Sequence, residues 1–496
     1  MAPSFPHPVY SRHVLQPAYR DAQAQLFEPM LAAHQAHALM LAEQGIISRE
    51  NAAAILAAVA QIQAAGAEDL AYQPGVEDLF FRVEQRIIQE AGPDWGGNLQ
   101  LARSRNDLGQ ALARMALRAR LLAFARDLLA LRRSLLALAR AHLETLMPGY
   151  THTQPAQPTT FGHYLAGVLT FLGQDQERLA RAYANVNRSP LGAAAFTGTG
   201  FPVDRQRLAQ LLGFQDVIAS THHAIGAGDH LTDVAFALQS LALGLGRVMR
   251  DLLFLATREA DAIRIHPSFL QISSIMPQKR NPVVLEHLRA RLSRGLGYAQ
   301  TVVTQCHNIP YGDTQDIEDE IGPPLFSALD AVQESVQLAT AVFDALELNR
   351  EHLARRAGEG FTTATELADA LVREAGLPFR QAHQVVARLV QEALAQGLSS
   401  QDVTLAMLQE AAHAVLGRSL SFSQEQLRTA LDPWHFVQVR TGLGGAGPQA
   451  TGALLEELAA RLAADEDWLA QEEERLAQAE AERNRAVAEL LREEEA

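Results

Sequence analysis

Apolar positions recur every three to four residues along most of the chain. No stretch alternates apolar and polar residues as a half-buried strand would. The pattern predicts an almost wholly helical protein. Ala, Leu, Arg, Gln and Glu dominate it, and all are strong helix formers. Five long patterns fill the middle third, at about residues 106–146, 160–188, 230–264, 282–308 and 323–354. In the first, Leu112, Met115, Leu121, Leu122, Leu128, Leu129, Leu135 and Leu136 form one broad face, with no Gly or Pro between Gly109 and Pro148. Helices this long exceed the usual mean of about 11–12 residues, and several together predict a bundle. Apolar faces this broad exceed what one chain's bundle covers, so subunit association is expected.

The flanks are shorter-ranged. Residues 1–102 break at Gly45, Gly66, Pro74 and Gly92, and residues 355–450 break at Gly376-Leu377-Pro378, Gly397, Gly417 and the 442–447 glycine stretch. The expected organisation is therefore an N-terminal helical domain (1–102), a central long-helix bundle (103–354), a C-terminal helical domain (355–450) and an acidic helical tail (451–496). In the tail, Leu469, Leu476 and Leu490 keep heptad spacing and Arg483 interrupts the seam. The tail is expected to be a solvated helix, with a coiled-coil contact as the alternative.

Charge narrows the partners. Lys and Arg total 42 and Asp and Glu total 57, a net charge of −15. That argues against nucleic acid, which wants a basic face. The single cysteine, Cys306, excludes an internal disulfide or a Cys-based zinc site and points to the cytoplasm. The start lacks a signal-peptide layout. The most apolar stretch, 241–256, carries arginines too often to span a bilayer. His34-x-x-His37 and His222-His223 have no cysteine beside them and read as helix-surface histidines, so neither metal nor cofactor is expected.

One residue stands out. Lys279 is the only lysine in the chain, and lysine and arginine differ where a compact ammonium is needed. It lies in Gln271-Ile-Ser-Ser-Ile-Met-Pro-Gln-Lys-Arg-Asn-Pro282, directly before a long helix with Pro282 at a plausible first position. Serine, lysine and asparagine beside a helix start make a carboxylate-binding, proton-handling loop.

This loop resembles the fumarase/aspartase signature Ser-Ser-x-Met-Pro-x-Lys-x-Asn. The resemblance implies that Ser273 is the catalytic base, and that Lys279 and Asn281, with Ser274 and Met276 on the same loop, hold a substrate carboxylate. Pro148-Gly-Tyr-Thr-His-Thr-Gln-Pro-Ala-Gln-Pro158 resembles the family's Thr-His-x-Gln region. Thr151 and Gln154 would bind substrate, and His152 would handle a proton near the leaving nitrogen. Glu286 stands where the argininosuccinate lyase branch places that histidine's carboxylate partner. Arg103-Ser-Arg-Asn-Asp107 resembles the branch's own motif, in which Ser104, Arg105 and Asn106 bind substrate carboxylates. Tyr311 and Gln315 lie in a further substrate-binding stretch. The resemblance runs from about residue 20 to about 455. It implies an all-α, three-domain chain in a homotetramer, each active site collected from three subunits. It implies β-elimination of an N-substituted aspartate, such as argininosuccinate, to fumarate and an amine.

Several positions depart from that branch. His34 replaces a serine, Phe80 a histidine, and Gln100-Leu101-Ala102 the usual His-Thr-Gly. Gly226-Ala227-Gly228-Asp229 replaces Ser-Asp-Arg-Asp, and the stretch from Tyr311 to Glu318 is one residue short. The fumarate-forming residues are intact. Two readings stay open: drift within argininosuccinate lyases, or the same chemistry on another N-substituted aspartate such as ethylenediamine-disuccinate. Adenylosuccinate lyase chemistry is disfavoured because no second lysine is present for a phosphate. A structural protein without activity is disfavoured by Ser273, Lys279, Asn281, His152 and Glu286 together.

Overall fold

The computed structural model describes residues 5–495, except for the side chains of Glu318, Glu494 and Glu495. Residues 1–4, and the end of the final Glu-Glu-Glu run, thus lie outside what is described. After helical segments over residues 8–25, three longer helices follow: α1 (Phe27–Glu43), α2 (Arg49–Ala65) and α3 (Leu79–Ala91). Gly66 and Gly92 end two of them with φ of 80° and 89°, which a side chain would resist.

Five long helices follow: α4 (Arg105–Ala141), α5 (Phe161–Val186), α6 (Asp229–Leu255), α7 (Val283–Cys306) and α8 (Gly322–Asp344). Each packs on the next and α8 closes on α4, so the five form a ring around one leucine- and valine-rich core. The third and fifth patterns overran. The chain turns at Asp261, where φ is 42°. Ile263 and Arg264 then pair antiparallel with Leu348 and Glu347. Asn349 Nδ2 donates to Asp261 Oδ2 at 2.8 Å. This pairing joins segments more than eighty residues apart, so local helix propensity cannot announce it.

Two further hydrophobic clusters flank the ring. One gathers α1–α3 with the start of α4 and residues 191–217. The other gathers α9 (Ala364–Arg373), α10 (Phe379–Ala395), α11 (Leu405–Leu416) and α12 (Gln424–Leu431).

The solvated tail is corrected. The last helix, α13 (Pro448–Glu495), lies along α4 and α5 and reaches α1 and α2. Leu455, Leu458, Leu462 and Leu469 enter the bundle core and Leu490 enters the N-terminal cluster. The seam is spent within the chain. Arg483, at its interruption, is buried and donates to Gln35 Oε1 and to the Leu211 carbonyl, both at 3.1 Å. Asp465 pairs with buried Arg132 at 2.6 Å. The charge of the tail is therefore one face of a packed amphipathic helix.

Candidate active site

The first segment sits at the start of α4. Ser104 caps the helix, with its backbone N–H on Asp107 Oδ1 at 2.9 Å. Asp107 is fully buried, and its other oxygen accepts from the Gly192 and Ala194 N–H groups at 2.9 and 3.0 Å. That carboxylate, which the motif placed without a role, pins the segment to the 190–195 loop. Asn106 Nδ2 donates to the Ala195 carbonyl at 3.3 Å. Arg105 is half-buried, 2.6 Å from Asp78 and 3.7 Å from Glu77, and lies over the Phe81 ring.

Tyr311 and Gln315 belong to the same end. Tyr311 accepts at its carbonyl from His222 Nε2 at 2.9 Å, and its hydroxyl meets His223 Nδ1 at 2.7 Å. The pair His222-His223 thus positions a tyrosine. Gln315 is exposed and precedes one π-helical turn, Asp316–Glu320. Burial and the neighbouring Asp78 carboxylate push the Asp319 carboxyl above its usual range.

The second segment departs from the all-helical expectation. Strands β1 (Leu146–Thr151) and β2 (Gln154–Thr160) form a hairpin whose two-residue tip is His152-Thr153. Both tip residues have positive φ, 52° and 61°. Left-handed backbone at two non-glycine residues is what a tight hairpin turn demands, and it costs energy. Thr151, His152 and Gln154 are exposed on that tip. Prolines at 148, 155 and 158 hid the strands from an alternation test.

The signature loop is a second hairpin, closed by Gln271 opposite Asn281 and Ile272 opposite Arg280. Ser273 Oγ accepts from the Ile275 and Met276 N–H groups at 3.3 and 3.0 Å. Ile275 is 82% exposed and Met276 40%. Ser274 and Lys279 are exposed and Asn281 is half-buried. Glu286 is exposed in the first turn of α7. Among the described residues, His152, Lys279 and Glu286 have no side-chain partner within the chain.

One chain does not bring the three segments together. With 37 residues, α4 is about 55 Å long at 1.5 Å per residue. Ser104 is at its start, and the hairpin follows its end. The signature loop belongs to the hairpin end. There Tyr150 meets Phe254 near the end of α6, with ring centroids 5.3 Å apart. Helix α7 then runs back, so that Cys306 at its far end lies beside Gly228. Tyr311 and Gln315 follow Cys306 to the Ser104 end.

The departures cluster in space. His34 and His37 are buried, at 0% and 3% exposure, which corrects the surface reading. Arg103 donates to His34 Nδ1 at 3.1 Å and to Gln100 Oε1 at 3.2 Å. Phe80 packs edge-on to the His34 ring, and His37 Nε2 donates to the Leu101 carbonyl at 2.9 Å. Desolvation pushes His34 well below its usual range, His37 to about 3 and the Arg103 guanidinium to about 10. The other departures also meet. A Cβ at Gly226 would come within 2.9 Å of the Gly312 nitrogen and the Tyr311 carbonyl carbon. Cys306 is half-buried, and burial pushes its thiol up.

The chain is similar to known proteins in both sequence and fold. A family model described as lyase matches residues 12–297, and one described as argininosuccinate lyase C-terminal matches residues 361–438. Argininosuccinate lyase of Halobacterium salinarum is 41% identical over 448 residues, 90% of each chain. Argininosuccinate lyase 2 of Agrobacterium fabrum is 35% identical over 446 residues, 90% of this chain and 88% of that one. EDDS lyase in complex with formate is similar in structure at a TM-score of 0.87 and 32% identity, covering 96% of this chain and 95% of that one. The class II fumarase of Schistosoma mansoni shares the fold, at a TM-score of 0.70 and 18% identity over 86% of this chain and 92% of that one.

Proposed function

Because the chain belongs to the argininosuccinate lyase family of the fumarase/aspartase superfamily, we propose that it eliminates fumarate from argininosuccinate, releasing arginine, at a site shared between subunits. As a carbon–nitrogen lyase it breaks one C–N bond and forms one C=C bond. Ser273 takes the proton from the carbon next to a carboxylate. The observation that carries this role is the pair of backbone N–H groups on its oxygen. Hydrogen bonds to a charged form favour it, and a serine alkoxide needs that help. Lys279 and Asn281 hold the carboxylate as it gains negative charge, where fixed donors matter most. Ser274 and Met276 line the same loop. His152, oriented by Glu286, delivers the proton that the departing nitrogen requires. Thr151 and Gln154, with Ser104, Arg105 and Asn106, grip the remaining carboxylate, and Tyr311 and Gln315 close the site.

The protein works as a homotetramer in the cytoplasm. Phe236, Leu243 and Phe254 on α6, with Tyr298 on α7, leave an apolar stripe exposed on the single chain. Helix α6 is long and apolar enough to cross a bilayer, yet half of its apolar window is buried in the core. A bundle face seated on other subunits accounts for both facts. Mixing tests it. Arg105→Ala and Ser273→Ala are each expected to be inactive. Tetramers reassembled from both should regain part of the activity, because some sites then draw neither defect. Hybrids as inactive as their parents would show that one chain completes a site.

A second reading keeps the chemistry and changes the amine. It is favoured by the clustered departures and by the EDDS lyase likeness. Fumarate release, followed by ultraviolet absorbance with argininosuccinate and ethylenediamine-disuccinate in parallel, decides. Efficient release from argininosuccinate is expected; silence there with release from the other compound would move the assignment to the second reading.

A further inference from the structure

The last helix reaches the Ser104 segment through one buried cation. Arg483 stands between Leu476 and Leu490, at the seam position where the heptad asks for a leucine. It is 9% exposed, its hydrogen bonds go to two neutral oxygens, and burial pushes its guanidinium below its usual range. Burying a charge without an ion partner costs free energy. A polar group at one seam position is also how a helix contact fixes its register.

The two hydrogen bonds open two routes. Through Leu211, Arg483 holds the short helix Arg205–Leu211. Gly213 follows that helix with φ of 71°, and a Cβ there would come within 2.9 Å of Leu476. At the start of the short helix, Arg205 Nε donates to the Leu191 carbonyl at 2.8 Å and Nη2 to the Ile218 carbonyl at 2.9 Å. A Cβ at Gly192 would come within 2.6 Å of the Arg205 side chain, so the 190–195 loop lies against it. Asp107 grips that same loop. Through Gln35, Arg483 holds α1, where the preceding residue, His34, meets Arg103 at 3.1 Å. Both routes stop at residues 103–107. Glu482 ties them together, because its partner Arg207 also pairs with Glu43 of α1 at 3.0 Å.

We propose that Arg483 is a positioning residue for the substrate-binding segment. Docked α13 sets the register of α1 and of the short helix, and these hold Ser104, Arg105 and Asn106 at the spacing their ligand requires. Which ligand the segment holds rests on the lyase reading above; that α13 positions it does not.

The test uses Arg483→Leu in the assembled protein, a change that completes the apolar seam and keeps α13 docked. KM for argininosuccinate should rise about tenfold. The change in kcat should stay within about twofold, because the lost binding is shared by ground and transition states. Arg483→Lys, which keeps one charged donor, should recover part of the loss. Amide hydrogen exchange reads the same event without substrate. In Arg483→Leu, exchange should quicken at 103–108 and 188–198 and keep its wild-type rate in the 146–160 hairpin. Should that variant fail to fold, Glu482→Gln, which frees Arg207 of the same short helix, is read by the same two measurements. Unchanged exchange at 103–108, or faster exchange there with KM unchanged, would overturn the proposal. Equal quickening in the hairpin would make the arginine a general stabiliser and overturn it too. Local quickening, in a protein whose wild type releases no fumarate from argininosuccinate or ethylenediamine-disuccinate, would sink the lyase reading and support the positioning.

Discussion

Replacing Ser273 by alanine is expected to lower fumarate release by about 10²–10⁴-fold, the usual contribution of a positioned general base. The loss should fall on kcat with little change in KM, because the hydroxyl acts on the proton in flight while Lys279 and Asn281 still hold the carboxylate. Ser274→Ala is the control. Its side chain lies on the same exposed loop, but Ser274 Oγ makes no hydrogen bond to the loop amides that Ser273 Oγ engages. Its loss should be smaller by at least tenfold. The fold should survive both changes, since Ser273 is outside the hydrophobic clusters. Near-normal turnover of Ser273→Ala would remove the base assignment, and an equal loss at Ser274 would move it.

Acidification from pH 6.5 to 5 is expected to destabilise the fold through three buried histidines, by about 1.5–2 kcal/mol for His37 alone. His34, His37 and His230 are each at most 3% exposed. Desolvation leads the causes in all three, with Arg103 beside the first two and Arg114 beside His230. Their folded pKa values are depressed, His37 to about 3. The native state therefore stays neutral while the unfolded chain takes up protons below about 6.5. Their contribution is whole well above that pH and is lost as pH falls through it. Buried Asp107 and Asp175, whose carboxyls are raised by desolvation, act in the opposite sense. Comparing wild type with His34→Gln isolates the histidine. Urea midpoints at both pH values should show a smaller pH dependence in the variant. Equal dependence in the two proteins would mean that His34 charges in the folded state.

The site was legible in the sequence wherever its chemistry is carried by neighbours along the chain. The lone Lys279, the serine pair before it and the Arg105-Asn106 helix start are local arrangements, and local arrangements survive without a fold. Asp107 carried no such signal. An acid in the first turn of a helix acquires meaning only from what packs against it, here the Gly192 and Ala194 N–H groups. The departures were visible one by one. That His34, Phe80 and Gln100 surround Arg103, and that Gly226 admits Tyr311 and Gly312, required coordinates.

The same division holds for the fold. Periodicity alone determined the five long helices, because burying a helix face requires apolar residues every three to four positions. Loop composition and the sole lysine located a carboxylate-binding loop, and its resemblance to the family signature implied the chemistry. Tertiary structure decided the rest. It ended α6 at Leu255 through a pairing with residues 347–348, bent 146–160 into a hairpin with a strained tip, and laid the acidic last helix along the bundle. It also decided that Ser104 and the hairpin of His152 belong to opposite ends of α4, which is about 55 Å long. The physical reason is that contacts between distant segments depend on where the chain returns, and no pattern within one segment encodes that.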